Sequence, residues 1–288
     1  MNYKIKRFIY RPELDGLRCI AIISVLLYHA RIDFLRKDDW LSGGYLGVDI
    51  FFVLSGYLIT NSILKELKNE ESFDFINFYQ RRLRRILPML ITVLFFSAIF
   101  AWRIFILNDL VEFGRSGLSA LYFGSNYFFN NITNRYGAES SLLKPLLHTW
   151  SLSIELQFYL IYPIIFFVSY KFFKKNVQII IFLLLLISLQ FSEVLIIKNA
   201  ALNYFHTFSR VWEIVFGSLI AYNHISYKYD KENFLTSLLP VLGLYLIFYS
   251  LFFFDNNSDH PGFITLVPLV GTYLIITFSS EKELIGKF

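Results

Sequence analysis

Long apolar stretches, each about the length of a membrane span, constrain this chain more than any other feature. A helix needs about 20 mainly apolar residues to cross the hydrocarbon core of a bilayer, and 56% of the 288 residues are hydrophobic. A soluble domain is about 45–50% apolar even when glycine is counted. The pattern predicts an all-α polytopic membrane protein with about eight transmembrane helices, near residues 16–32, 46–64, 87–107, 150–170, 177–197, 209–225, 235–254 and 263–279.

Basic residues fall mostly in short runs between these stretches. Four arginines lie within 81–85, and KFFKK occupies 171–175. Such runs are typical of cytoplasmic loops, so the net charge of +5 indicates membrane topology and does not indicate a nucleic-acid partner. We expect a single membrane-embedded domain over 1–288 with its N-terminus in the cytoplasm and the lipid bilayer as its surroundings.

The segment near 115–130 does not fit a full crossing. It is aromatic but short, and Gly124, Ser125 and Asn126 interrupt it. A crossing here would also move KFFKK to the outside and break the charge rule. We therefore predict a re-entrant or interfacial segment, which membranes tolerate where it lines a protein-walled cavity.

Arg18 and His29 lie eleven residues apart in the first apolar stretch. Eleven residues are almost three helical turns, so the two side chains share one face about 16 Å apart. A fixed cation and a group that exchanges protons near neutral pH suit a site that holds an anionic donor and reacts at its far end. The plainer interpretation is a topology anchor at Arg18 and an inert interfacial histidine.

Ionisable groups within later crossings are further candidates, because such groups are costly in a membrane. In HTWSLSIELQFYLIYP, Ser151, Glu155 and Tyr159 repeat at every fourth position, and Trp150 lies at the outer end. The carboxylate of Glu155 could orient a histidine or pair with an arginine. Alternatively, the hydroxyls hold helices together and the carboxyl is neutral or salt-bridged.

Three other groups admit two interpretations each. Arg210 and Glu213 are three residues apart and predict an ion pair that fixes helix packing. Asp49 either orients His29 or caps its own helix. The arginines of 81–85 suit phosphate recognition, although contacts to anionic lipids explain them equally well. The sequence contains no P-loop, dinucleotide-binding fingerprint or metal-binding cysteine set, and we expect no metal.

Five segments, taken together and in order, resemble the acyltransferase type 3 family of mostly bacterial integral-membrane O-acyltransferases. They are RPELDGLRCIAIISVLLYHA, GYLGVDIFFVLSGYLIT, FYQRRLRRILP, LLHTWSLSIELQFYLIYP and FHTFSRVWEIVFGSLIA. The family's basic residue and histidine match Arg18 and His29. Its paired arginines match Arg82 and Arg85, and its serine–glutamate motif matches Ser153 and Glu155.

The resemblance implies transfer of an acyl group, usually acetyl, from cytoplasmic acyl-CoA (acetyl-CoA) to a hydroxyl of an envelope glycan such as lipopolysaccharide O-antigen, exopolysaccharide or peptidoglycan. It implies a bacterial inner (cytoplasmic) membrane. Arg18, Arg82 and Arg85 would hold the CoA phosphates, and His29 would act as a general base or acyl carrier. Beside this implied machinery, we expect Glu155 and Asp49 to be catalytic by setting the tautomer of His29, and Tyr159 or Trp150 to shape the acceptor mouth. Ser153, Arg210 and Glu213 are the remaining supporting residues.

One departure from the family is the length of the chain. Family members generally have ten crossings, so we expect this chain to be truncated before the last two. A transporter of a small solute or acyl group, or a non-catalytic remnant, are the alternative functions.

Overall fold

The computed structural model describes residues 10–30, 41–70, 72–133, 144–226, 234–255 and 258–279. Over these ranges the chain is entirely helical, with two short 3₁₀ turns (Gly44–Leu46 and Phe263–Thr265) and no β-strand. The eleven α-helices of the described ranges are α1 (Pro12–Ala30), α2 (Gly47–Glu70), α3 (Phe75–Ile104), α4 (Leu107–Leu121), α5 (Ser125–Thr133), α6 (Thr149–Phe172), α7 (Val177–Lys198), α8 (Ala200–Phe205), α9 (Thr207–Ser226), α10 (Phe234–Phe253) and α11 (Leu266–Phe278).

The predicted all-α membrane architecture is confirmed, and a helix occupies most of the described part of each predicted crossing. By length and composition, five helical segments are able to span a membrane: Gly44–Lys68, Phe75–Ile104, Thr149–Phe172, Val177–Lys198 and Thr236–Phe253. The other three positions hold α1, α9 and α11. Helix α1 carries three charged side chains and α9 carries two, and α11 has only 13 residues.

The segment predicted to be re-entrant or interfacial consists of two short helices. Helix α4 has 15 residues and α5 has nine, so neither reaches the length of a membrane span. The break between them contains Phe123, whose φ of 56° lies in the left-handed region. The side chain of Gln157 donates to the carbonyl of Phe123, and this bond holds the break against α6.

The chain divides into two compact units. Unit 1 contains residues 1–54, 223–258 and 265–288, and unit 2 contains 55–222 and 259–264. In unit 1, α1 lies directly against the turn that begins α2. A β-carbon added to Gly47 would lie 2.5 Å from the carbonyl oxygen of Ala21, so only glycine permits this approach. On the other side of the turn, the Gly43 amide donates to Leu251 O at 3.0 Å.

Unit 2 is built around α6, which carries buried residues along most of its length. The hydroxyl of Thr60 on α2 donates to that of Tyr162 on α6 at 3.1 Å. Helix α2 also approaches α9 very closely, because a β-carbon at Gly56 would lie only 1.7 Å from the carbonyl oxygen of Ile214. Small residues at helix crossings and hydroxyl bonds between helices are the usual means of association in a membrane, where lipid removes the hydrophobic driving force.

Candidate functional site

Arg18 and His29 lie on one uninterrupted helix, α1. The guanidinium of Arg18 forms an ion pair with Asp15, one turn earlier, at 2.6 Å. The Tyr10 hydroxyl donates to the second oxygen of the same carboxylate at 2.8 Å. Arg18 is 31% exposed, so it is accessible to a ligand that displaces this carboxylate.

His29 lies in the last turn of α1 and is exposed. Its ring meets the edge of the Tyr28 ring at 5.1 Å, and Tyr28 contacts Tyr45 at 5.7 Å. Asp49, in the same unit, is fully buried in the first turn of α2. Because α2 begins at Gly47, Asp49 lies inside the helix and is not its N-cap residue. A carboxylate in a first turn is stabilised by the helix dipole.

The arginines of 81–85 lie in different surroundings. The segment is part of α3, which begins after Asp74, whose side chain accepts from the Asn77 amide at 3.0 Å. Arg82 is half-buried, with its guanidinium over the rings of Phe78 and Tyr159 at 5.6 and 5.5 Å. Arg85 is exposed. Of the two positions matched to the paired-arginine motif, Arg82 is thus partly covered by aromatic rings and Arg85 is open.

Glu155 accepts hydrogen bonds from two hydroxyls, those of Ser55 on α2 and Tyr159 one turn further along α6. The bond to Tyr159 confirms the predicted shared face of α6. Ser151 lies on the same helix one turn before Glu155, and its hydroxyl donates to the carbonyl of His148 at 3.2 Å. Arg82 stacks on Tyr159, so a cation, a phenol and a carboxylate form one connected group in unit 2.

Ser153 is buried and bonded to the start of α5. Its hydroxyl lies 2.7 Å from that of Ser125 and accepts from the Ser125 amide at 3.2 Å. Ser153 thus joins α5 to α6.

Arg210 and Glu213 form the predicted ion pair, at 2.9 Å and with both side chains fully buried. The guanidinium also lies over the rings of Trp150 and Tyr204, at 5.5 Å each, and donates to Nε2 of His260 at 3.2 Å. An arginine only donates, so Nε2 of His260 is the acceptor in this bond. The cluster joins α6, α8 and α9 to the 259–264 segment.

Several residues of these clusters were missed by the sequence reasoning. His260 and Tyr204 complete the surroundings of Arg210, and Ser55 completes those of Glu155. Ser55 is separated from Glu155 by 100 residues, and His260 from Arg210 by 50. No spacing rule along the chain connects such pairs, and the only available signal was a polar residue within or beside an apolar stretch.

Comparison with known proteins identifies an acyltransferase relationship over almost the whole chain. The family model described as an acyltransferase domain matches residues 11–283. O-acetyltransferase OatA of Staphylococcus aureus (strain NCTC 8325 / PS 47) is 30% identical over 293 residues, which cover 97% of this chain and 47% of OatA. An uncharacterized protein of Haemophilus influenzae is 36% identical over 249 residues, covering 82% of this chain and 100% of that protein.

A third relative is YrhL of Bacillus subtilis (strain 168), whose name gives it as a proposed peptidoglycan O-acetyltransferase. It is 35% identical over 226 residues, covering 77% of this chain and 34% of YrhL. The chain thus spans about half the length of the OatA proteins that it matches. No solved structure matches it significantly.

Proposed function

The chain belongs to the acyltransferase 3 family, and on that premise we propose that it is a membrane O-acetyltransferase. The donor is cytoplasmic acetyl-CoA, and the acceptor is a hydroxyl of an extracytoplasmic glycan of the bacterial envelope. The names of two relatives support this choice: one is an O-acetyltransferase, and the other names peptidoglycan. Among envelope glycans we therefore favour peptidoglycan.

The observation that carries the proposal is the unbroken helix α1 with Arg18 and His29 on it. Eleven residues of α-helix separate a cation from an imidazole by about 16 Å along one face. This arrangement supports binding of a phosphate-bearing donor at the Arg18 end and reaction at the His29 end. In addition, we assign Arg82 and Arg85 to the donor phosphates, since a guanidinium binds phosphate through two parallel hydrogen bonds.

In the proposed transfer, the thioester carbon–sulfur bond breaks and an ester carbon–oxygen bond forms at the acceptor hydroxyl. The hydroxyl proton passes to His29 and then to the departing thiolate, so the histidine is regenerated. His29 acts either as this general base or as a transient acyl carrier. General-base catalysis by a positioned histidine typically contributes 10²–10⁴-fold in rate.

Two carboxylates, Asp49 and Glu155, also take part in the proposed reaction. Asp49 orients His29, since both belong to unit 1 and α1 packs against the turn that leads into α2. Glu155 is a second catalytic carboxylate, whose position Ser55 and Tyr159 fix by hydrogen bonds. Trp150 lies on Arg210 and shapes the acceptor side, while the Arg210–Glu213 pair holds this part of unit 2 together.

The test is genetic complementation in the source bacterium. A deletion strain receives the wild-type chain, His29→Ala, or Cys19→Ala, which changes an exposed residue of the same helix. Base-labile acetate on purified peptidoglycan is measured at equal membrane abundance of the three proteins. We expect wild type and Cys19→Ala to restore acetate and His29→Ala to fail. Full restoration by His29→Ala, or no acetate from the wild type, would refute the proposal.

A further inference from the structure

Unit 2 contains a cavity of about 380 Å³ bounded by α5, α6, α7 and α9, a size within the usual range for small-molecule sites. Among the described residues, Glu155, Tyr159 and Arg82 do not line it. The cavity is therefore separate from the group formed by Glu155, Tyr159 and Arg82.

One end of this cavity is polar and the other is apolar. Gln157, Ile161 and Ile165 all line it and follow one another at successive turns of α6. The isoleucine side chains thus extend the wall about 12 Å from the amide. Ile161 is 56% exposed on a helix long and apolar enough to cross a membrane, so the cavity is open to lipid along this wall.

The polar end presents one hydrogen-bond acceptor. The hydroxyl of Thr207 donates to Gln157 Oε1, which uses the only proton of that hydroxyl. The Tyr127 hydroxyl, 3.2 Å from Thr207 Oγ1, must therefore donate to it. The phenolic oxygen of Tyr127 keeps its lone pairs for a ligand.

The polar end also presents one donor. The amide of Phe208 donates to Nδ1 of His206 at 3.2 Å, so the proton of the neutral ring lies on Nε2. Burial lowers the pKa of His206, and the ring is therefore neutral at pH 7. Within the described ranges, the Nε2 proton has no hydrogen-bond acceptor, and His206 itself lines the cavity.

We propose that this cavity binds a membrane lipid with a single hydrocarbon chain and an uncharged head that carries hydroxyl groups, of the monoacylglycerol type. A hydroxyl both donates and accepts, which matches the Tyr127 oxygen and the His206 proton. Among the described residues that line the cavity, none is charged at pH 7. A charged head would therefore be desolvated without a counterion, at a high cost in free energy. The site is independent of the proposed acetyl transfer.

Three lipids with the same oleoyl chain test the head-group chemistry. Native mass spectrometry of the full chain, released from detergent micelles, measures binding of monoolein, methyl oleate and oleate. We expect monoolein to bind saturably at one molecule per chain. Methyl oleate lacks the hydroxyls and should bind about three- to tenfold more weakly, and oleate more than tenfold more weakly. Equal binding of the three lipids, or no saturable monoolein binding, would overturn the proposal.

Variants of residues that line the cavity test whether monoolein binds there. Tyr127→Phe removes the acceptor and should weaken monoolein binding about three- to tenfold. Tyr122→Phe is the matched control, since Tyr122 is 82% exposed and does not line the cavity. If Tyr127→Phe does not elute as a single species in size-exclusion chromatography, Ile161→Trp is the variant that tests the site. Its larger ring fills the apolar end of the cavity and should abolish monoolein binding. Unchanged binding in Tyr127→Phe, or in Ile161→Trp, contradicts the assignment.

Discussion

The guanidinium of Arg18 and the carboxylate of Asp15 form an ion pair at 2.6 Å across one turn of α1. The cation that we assign to the donor phosphates is thus already neutralised by its own helix. A phosphate that binds Arg18 has to displace Asp15, which remains bonded to Tyr10. Asp15 therefore competes with the donor phosphates for the guanidinium of Arg18.

Removal of this competitor should tighten donor binding. In Asp15→Asn we expect the KM for acetyl-CoA to fall about two- to fivefold, the range set by the strength of an exposed ion pair. Initial rates of acetyl transfer in membrane vesicles, at a series of acetyl-CoA concentrations, measure this KM. Glu13→Gln is the control, because Glu13 pairs with Arg11 at 2.5 Å in the same turn and leaves Arg18 untouched. A higher KM in Asp15→Asn would show that the carboxylate itself supports donor binding.

The carboxylate of Glu155 should contribute more to kcat than either hydroxyl that it binds. Glu155→Gln keeps the side-chain volume but removes the charge, and we expect kcat to fall about 100-fold. Tyr159→Phe leaves the carboxylate and the Ser55 hydroxyl in place, so its loss should be about tenfold or less. Initial rates at equal membrane abundance distinguish the two. Glu155→Gln with wild-type kcat would exclude this residue from the mechanism.

The ion pair of Arg210 and Glu213 should contribute to stability because both partners are fully buried. Glu213→Gln removes the carboxylate of a fully buried ion pair, and we expect a loss of about 3–5 kcal/mol in the free energy of unfolding. The double variant Arg210→Met/Glu213→Leu should lose less, because both charges of the pair are removed together. Denaturant unfolding in detergent measures both changes.

A partly exposed pair provides the comparison for this experiment. Lys144 and Glu112 also form a salt bridge, with side chains 14% and 34% exposed. Lys144→Met should cost about 1 kcal/mol or less. If Glu213→Gln is as stable as Lys144→Met, the buried pair has no special role in holding α9.

The lowered pKa of His206 predicts that the folded protein loses stability in acid. Burial lowers the pKa of His206 in the folded state below the ordinary value of about 6.5. As the pH falls below about 6.5, the imidazole is therefore protonated more readily in the unfolded chain than in the folded one, which favours unfolding. Stability from this group is complete above about pH 6.5 and is lost as the pH falls through the folded-state pKa. Thermal unfolding of wild type between pH 7.5 and 5 should show the decline. His206→Gln should show a shallower decline, and identical slopes would contradict the assignment.

Much of the fold follows from the sequence, because apolar stretches of membrane length predict helices whose bounds the structure largely reproduces. The pair Arg210–Glu213 was also predictable, since residues three apart on a helix are neighbours. For Ser151, periodicity predicts the helix face but not the hydrogen-bond partner. A serine hydroxyl readily bonds a backbone carbonyl three or four residues earlier, and here that carbonyl belongs to His148.

The remaining contacts depend on tertiary packing. His260 reaches Arg210 from a loop 50 residues away, and Gln157 meets Asn126 and Thr207 across three helices. These side chains are polar but uncharged or weakly basic, so the cost of burying charge in a membrane did not single them out. Only the packing of α5, α6 and α9 brings them together.

The approach of α2 to α9 at Gly56 also affects how loss-of-activity data on this protein should be interpreted. Any side chain at position 56 would overlap the backbone of Ile214, so a cysteine scan along α2 will score Gly56 as essential although it has no reactive group. The scan separates the two kinds of position only if abundance is recorded with acetylation. A steric position loses both together, whereas a chemical position loses acetylation alone.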